Sequence, residues 1–245
     1  MMTPRKTDYQ ARKDKILSIV VDEYAKNVTP VSSGFIVKRH FYDLSPATIR
    51  NILAELEEDG YLTHPHTSAG RIPTQKGYRY FVDHLMNEIQ LLGKEKKRIE
   101  QEYLAHVKEL ERLLEITSQA ISELTQYTSL VSLDGDSEHL YCSGMNFVAG
   151  FPEFHDFQKI QGILRLIEQK EHLLDIINRN LEKRIEFFIG NEIACEDMGS
   201  CSLAVSKYQR KSGETGRIAL LGPTRMDYER VVSALEYLSE LMSQF

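Results

Sequence analysis

The stretch from Ala11 to Thr74 constrains the fold of this chain more than any other part of the sequence. Apolar residues and helix-end signals there predict helices over 11–27, 32–40 and 45–59, a hairpin over 61–73, and a fourth helix that Thr74 caps. Three helices followed by a hairpin is the order of a winged helix-turn-helix. This stretch therefore predicts a small module that places one helix and one hairpin side by side.

The third helix has the signals of a recognition helix. Ser45 is predicted to cap its free N–H groups, Pro46 suits its first position, and Gly60 ends it. At about 100° per residue the buried stripe and the outer face separate. The stripe holds Ile49, Ile52, Leu53 and Leu56, the outer face holds Ala47, Asn51, Ala54 and Glu58, and Thr48 and Arg50 flank it. Asn51 suits bidentate pairing with adenine, and the small residues permit close approach to the major groove.

The hairpin and the helix after it add further candidates for DNA contact. The predicted DNA-binding set comprises Ser45, Ala47, Thr48, Arg50, Asn51, His66, Ser68, Arg71, Lys76, Tyr78 and Arg79. Arg71 is expected to protrude from the hairpin and reach a minor groove or a phosphate. The alternatives are that the helix residues are merely solvated and that the loop is an ordinary β-turn. His64 and His66 lack a nearby third ligand, so we expect no metal there.

The charge distribution supports a nucleic-acid partner only modestly. Net charge is −6, yet residues 1–83 carry 12 Lys and Arg against 10 Asp and Glu, so the acidity lies in the remaining two thirds. Phosphate contacts must therefore come from a few well-placed groups. Three cysteines, an N-terminus without a secretory signal and the lack of a long apolar run predict a cytoplasmic location.

A long helical segment is predicted after the first module. Apolar residues alternate by four and three over 94–129, as in a heptad seam. The residues that could form a dimerisation seam are Tyr103, Val107, Leu110, Leu114 and Ile121. An operator with two half-sites needs two subunits, which favours dimerisation through this seam. The alternative is that the seam packs on the chain's own C-terminal domain.

The remainder of the chain is typical of an α+β module. After a connector at 133–138, helices are predicted over 156–180 and 226–242, and strands over 185–189, 202–208 and 217–221. Thr224 is expected to cap the last helix, and Arg225 to form a structural ion pair. No phosphate-cradling glycine motif occurs and the cysteines lack metal spacing, so no cofactor, metal or enzymatic activity is expected.

Several strings along the chain resemble the heat-inducible transcription repressor family HrcA. They are PHTSAGRIPT with KGYRYFVD at 65–83, SELTQYTS at 122–129, FPEFHDFQKI at 151–160, IGNE at 189–192 and LLGPTRMDYERV at 220–231. The resemblance implies a homodimer that binds an inverted-repeat operator upstream of chaperone operons and needs the chaperonin. Matching positions are Thr48, Arg50, Asn51, His66, Arg71 and Tyr78. It also implies a GAF-like C-terminal part with an inserted dimerisation domain.

The chain departs from the family pattern in its central region. Only Leu130–Met145 separates two motifs between which the family usually has further strands and the inserted element. The resemblance therefore predicts domains at 1–83, 84–132 and 133–245, with the last a truncated GAF-like domain. Two other functions stay open, namely regulation of a different regulon and an interaction scaffold that does not bind DNA.

Overall fold

The computed structural model divides the chain into two compact units. It describes residues 4–40, 44–65, 70–86, 93–106, 109–134, 136–148, 150–179, 181, 183–195 and 198–245. Met1–Asn87 is called the N-terminal unit and Glu88–Phe245 the C-terminal unit. None of the helices in these ranges is both long and apolar enough to cross a membrane.

The N-terminal unit has the helices and the hairpin in the predicted order. Its elements are α1 (Pro4–Asn27), α2 (Ser33–His40), α3 (Pro46–Glu58), β1 (Leu62–Thr63), β2 (Ile72–Pro73) and α4 (Gln75–Tyr80), followed by a π-helical turn at Phe81–Leu85. The strands pair antiparallel. The predicted winged helix-turn-helix order is confirmed.

Local signals set the ends of these helices. Gly60 follows α3 with a φ of 77°, a left-handed conformation that glycine adopts without strain. Thr74 accepts a hydrogen bond from the N–H of Gly77 at 3.1 Å, so it caps α4 as expected. One inward residue was predicted wrongly in α2, because Ile36 is buried while the Phe35 side chain lies at the surface, 36% exposed.

The C-terminal unit is built on one antiparallel sheet. Its strands are β3 (Thr128–Leu133), β4 (Asp136–Ser143), β5 (Ile185–Ile189), β6 (Cys201–Gln209) and β7 (Thr215–Pro223). They lie in the order β4-β3-β7-β6-β5. The α+β class is confirmed and the three predicted strands are present. The connector predicted at 133–138 is instead part of a hairpin between β3 and β4.

Two long predicted helices are each divided in the structure. The helices of this unit are α5 (Gly93–His106), α6 (Leu110–Thr125), α7 (Met145–Val148), α8 (Phe157–Glu168), α9 (Lys170–Ile177) and α10 (Tyr228–Gln244). Glu109 and Gln169 adopt non-helical backbone angles between the paired helices. Leu164, predicted to face inward, is 46% exposed on α8.

Helices cover both faces of the sheet, and alternate strand residues face different layers. In β3 the Ser129 hydroxyl is 2.9 Å from the hydroxyl of Ser118 on α6, whereas Leu130 belongs to the core under α8 and α9. In β6 the Ser206 hydroxyl meets that of Ser239 on α10 at 2.7 Å. The two-residue period of a strand thus divides the unit into a hydroxyl-rich layer and an apolar layer.

The predicted dimerisation seam lies inside the C-terminal unit. Tyr103, Leu114 and Ile121 are fully buried, and the Tyr103 ring lies 5.8 Å from that of Phe245. Leu110 is half-buried, and Val107 falls outside the described residues. These side chains pack on their own chain because α5, α6 and α10 form one layer. For Tyr103, Leu114 and Ile121 the seam prediction is therefore corrected in favour of its intramolecular alternative.

Candidate nucleic-acid interface

Helix α3 presents the predicted outer face to solvent. Ala47, Arg50 and Asn51 are exposed and Thr48 is half-buried. The predicted stripe on the opposite side is confirmed, since Ile49, Ile52, Leu53 and Leu56 are all buried. The buried stripe holds the helix on the unit, so its polar N-terminal turns face outward. This is the geometry that reading base edges requires.

The first turn of α3 is fixed by its own hydroxyl groups. The Ser45 side chain accepts a hydrogen bond from the N–H of Thr48 at 3.1 Å. The Ser45 and Thr48 hydroxyls also share a hydrogen bond of 2.9 Å, and Pro46 occupies the first turn. The capping prediction for Ser45 is confirmed. Both hydroxyls lie at the end of the helix where the dipole favours a phosphate.

Helix α1 contacts the C-terminal end of α3 through ion pairs and a hydrogen bond. The Lys13 ammonium lies 2.8 Å from Asp59 and 3.3 Å from Glu55, and the Tyr9 hydroxyl donates to Glu55 at 2.6 Å. Burial opposes the charge of Lys13, but hydrogen bonds to Asp59 and Glu55 outweigh it and raise the pKa of the ammonium. The hydrogen bond from Tyr9 is the main cause that lowers the pKa of the Glu55 carboxyl. These contacts orient α3 on the unit.

The hairpin places Arg71 differently from the prediction. Its guanidinium lies 2.7 Å from the Glu57 carboxylate on α3. Its backbone pairs with Val31 in both directions, at 2.8 and 2.9 Å. The expected protruding position of Arg71 is therefore corrected, because an ion pair holds its side chain beside the recognition helix. His66 and Ser68 lie outside the described residues, and the contact of Arg71 with DNA stays a prediction.

The three predicted DNA-binding residues on α4 differ in how far they are exposed to solvent. Tyr78 is 3% exposed, so its assignment to the DNA surface is corrected to a core role. Lys76 is exposed and donates to the backbone oxygen of Asp59 at 2.7 Å. Arg79 is half-buried, 3.8 Å from Asp83. Lys76 thus satisfies a carbonyl just beyond the end of α3, and the contact of Lys76 and Arg79 with DNA stays a prediction.

Sequence reasoning missed the basic end of α2. Lys38 and Arg39 are exposed in its last turn, and His40 follows them. Arg39 lies 3.8 Å from Glu23 on α1. The first helix of a helix-turn-helix crosses the DNA backbone, which makes these cations candidates for phosphate contact. Three consecutive basic residues just before the turn were the sequence signal.

The comparison with protein families decides where the chain belongs. A family model described as HrcA protein C terminal domain matches residues 82–232. The chain belongs to the HrcA family. The matched region begins in the π-helical turn of the N-terminal unit and ends within α10.

Curated relatives in the HrcA family match nearly the whole chain. The heat-inducible transcription repressor HrcA of Pelotomaculum thermopropionicum is 29% identical, covering 95% of this chain and 95% of that protein. The protein of the same name from Desulforudis audaxviator is also 29% identical, covering 95% and 96%. Each alignment spans 332 positions, whereas this chain has 245 residues. Both relatives therefore carry residues that this HrcA chain lacks.

A solved structure shares the fold of this HrcA chain. A crystal structure of a hypothetical protein at 2.2 Å resolution aligns with a TM-score of 0.73 and 19% identity. The alignment covers 95% of this chain and 97% of that one. The likeness shows a common fold over both units. The GAF-like character of the sheet stays a prediction.

Three of the HrcA motifs meet in the C-terminal unit. The Tyr127 hydroxyl accepts a hydrogen bond from the N–H of Asp227 at 2.9 Å, and its ring stacks on Phe151 with centroids 5.5 Å apart. The Arg225 guanidinium donates to the Glu153 carboxylate and lies over the Phe151 ring. Arg225 forms the predicted structural ion pair. These motifs join the segment before α8 to the start of α10.

The residue that caps α10 is not the one expected from the sequence. Asp227, not Thr224, caps α10 by accepting a hydrogen bond from the N–H of Arg230 at 3.1 Å. In the IGNE motif Glu192 accepts from the N–H of Ile189 at 2.9 Å. Among the described residues no group of three His, Cys, Asp or Glu could hold a metal ion. The hydrogen bonds and ring contacts described above give these HrcA motifs structural roles.

Proposed function

We propose that this chain is a heat-inducible transcription repressor that binds double-stranded DNA through α3. The observation that carries the proposal is the outward face of α3, where the exposed Asn51 lies between the exposed Ala47 and the half-buried Ala54. The names of the HrcA relatives support a repressor. A side-chain amide at this position can pair bidentately with an adenine edge.

The finer part of the proposal is a homodimer on an inverted repeat. Two recognition helices must lie about 34 Å apart to read two half-sites one turn apart. Because Tyr103, Leu114 and Ile121 are buried within one chain, we place the contact between the two proposed copies on another surface. The chaperonin partner and the cytoplasmic location that we expect from the sequence belong to the same proposal.

Asn51→Ala is expected to reduce discrimination between operator and non-operator DNA. Losing one bidentate base contact removes roughly 1–3 kcal/mol of specificity. The operator probe is the duplex that the wild-type chain enriches from a randomised pool, and the competitor is its scrambled sequence. Affinities are measured by fluorescence anisotropy at fixed salt.

The matched control for this experiment is Asn146→Ala, which removes an exposed asparagine from the C-terminal unit. It should leave both affinities unchanged. If Asn51→Ala keeps the wild-type ratio of affinities, α3 does not read the operator as proposed. A wild-type chain that enriches no sequence would reject the repressor function, and one chain per duplex would reject the dimer.

Lys38→Ala should weaken binding to operator and scrambled duplexes by a similar factor. A lysine that contacts a phosphate releases a counterion whatever the sequence, so its loss should reduce the slope of log affinity against log salt by about 1. The measurement is the affinity for both duplexes over a salt series. Lys207→Ala is the matched control, because Lys207 is equally an exposed lysine but lies on β6. An unchanged slope in Lys38→Ala would remove α2 from the interface.

A further inference from the structure

One carboxylate on the recognition helix holds two side chains of the hairpin. Glu57, in the last turn of α3, accepts hydrogen bonds from both. Its Oε2 lies 2.7 Å from the Nη2 of Arg71, and its Oε1 accepts from Nδ1 of His64. All three side chains are partly exposed. The two ends of the hairpin, before and after its tip, are thus joined to α3 at one point.

The backbone of the hairpin stem is short. In the described part of the hairpin, Leu62 pairs with Pro73 and Thr63 with Ile72, and a proline has no N–H to donate. An isolated two-stranded hairpin is marginally stable at best. Contacts beyond the two strands therefore hold this hairpin in place, and the side-chain contacts from α3 are among them.

The backbone at Gly70 and Arg71 lies close to the backbone at Val31. Arg71 pairs with Val31, in the segment between α1 and α2. A Cβ on Gly70 would lie 2.5 Å from the carbonyl group of Val31. Glycine at position 70 allows this approach, which anchors the Arg71 backbone while its guanidinium turns to Glu57. The ion pair is therefore built into the hairpin, because both its backbone and its side chain are held.

We propose that Glu57 is a positioning residue that sets operator specificity by fixing the hairpin against α3. The inference rests on the proposed function. A carboxylate beside a DNA-binding face repels every duplex equally, since the phosphate charge does not depend on sequence. Glu57 therefore lowers affinity in general and contributes by holding Arg71 and His64 in one place. Specificity and affinity should respond to its loss in opposite directions.

The test compares Glu57→Gln with Glu58→Gln in the full chain. Glu58 is the neighbouring exposed glutamate on α3, so its substitution removes the same charge at almost the same place. Both variants should bind scrambled duplex more tightly. Only Glu57→Gln should lower the ratio of operator to scrambled affinity, by about 10-fold for a loss near 1.4 kcal/mol. A Glu57→Gln variant with the wild-type ratio would overturn the proposal.

A double-mutant cycle shows whether Glu57 acts through Arg71. In an Arg71→Ala background Glu57→Gln should change the affinity ratio by less than it does in the wild-type chain. If Glu57→Gln changed the affinity ratio equally in both backgrounds, Glu57 would not act through Arg71.

Hydrogen exchange provides a readout that does not need DNA. The Arg71 amide should exchange several-fold faster in Glu57→Gln than in the wild type or in Glu58→Gln, because the hairpin opens locally. Unchanged exchange rejects the positioning role even if the chain binds an operator. A wild-type chain that enriches no duplex rejects the repressor function, and the specificity role of Glu57 with it.

Discussion

Truncating Leu114 to alanine is expected to lower the free energy of unfolding of the C-terminal unit by about 3 kcal/mol. Leu114 is 0% exposed on α6, in the layer that α6 forms with α5 and α10 on the sheet. Removing its side chain leaves a cavity that the sheet and the neighbouring helices can fill only in part. The measurement is urea denaturation of the full chain, followed by a signal from the C-terminal unit.

The matched control is Leu104→Ala on α5, where the leucine is 63% exposed. A surface truncation should change stability by no more than about 0.5 kcal/mol. Sedimentation of both variants should equal that of the wild type. If Leu114→Ala instead kept its stability but shifted the wild-type sedimentation to a smaller species, the seam would be an interface between copies after all.

The apolar seam shows what the sequence pattern can and cannot determine. The spacing of Tyr103, Leu114 and Ile121 identifies a buried side of helical segments, and all three are buried. A helix with this spacing can pack equally well on a second copy of the chain or on another helix of its own chain. The partner here is α10, more than a hundred residues further on. A contact so distant in sequence leaves no local signal in the seam.

Local signals explain why α3 could be predicted and β3 could not. The cap at Ser45, the stripe including Ile49 and the glycine at position 60 are all encoded within the helix or beside it. In β3 the buried residues include Ser129 and Ser132, which look like surface residues in sequence. Ser129 is buried because Ser118 on α6 satisfies its hydroxyl. A strand that is buried on both faces and carries serines on them shows no hydrophobic alternation from which it could be recognised.

The predicted placement of two DNA-facing side chains was wrong because each depends on contacts with other elements of the unit. Arg71 belongs to a polar, turn-rich loop that favours exposure, and Tyr78 lies near the start of the helix that follows the loop. Tyr78 is buried because α4 packs on its unit, and Arg71 turns to Glu57 on α3. The basic end of α2 was missed because the sequence pattern directed the DNA-binding prediction to α3. Lys38 and Arg39 are exposed but belong to α2.

Glu153→Gln is expected to lower the free energy of unfolding of the C-terminal unit by about 3 kcal/mol. Its partner Arg225 is 8% exposed and donates to both carboxylate oxygens of Glu153. Without the carboxylate the guanidinium stays buried and loses its charge-balancing contact. Urea denaturation of the full chain measures the change.

The control pair lies at the surface of the same unit. Arg184 is 2.9 Å from Glu240, and both side chains are more than half exposed. Glu240→Gln should therefore cost no more than about 1 kcal/mol, because solvent screens an exposed ion pair. A loss in Glu153→Gln no larger than in Glu240→Gln would show that burial does not strengthen the Arg225 contact.

Replacing both partners separates the charge from the packing. Glu153→Met with Arg225→Met should recover part of the stability lost in Glu153→Gln, because no buried charge is left without a counterion. Recovery stays partial if the guanidinium over the Phe151 ring also contributes. The contact between the HrcA motifs at 151–160 and 220–231 would then serve the stability of the fold. A double variant less stable than Glu153→Gln would contradict this, since the charge itself would be required where the two motifs meet.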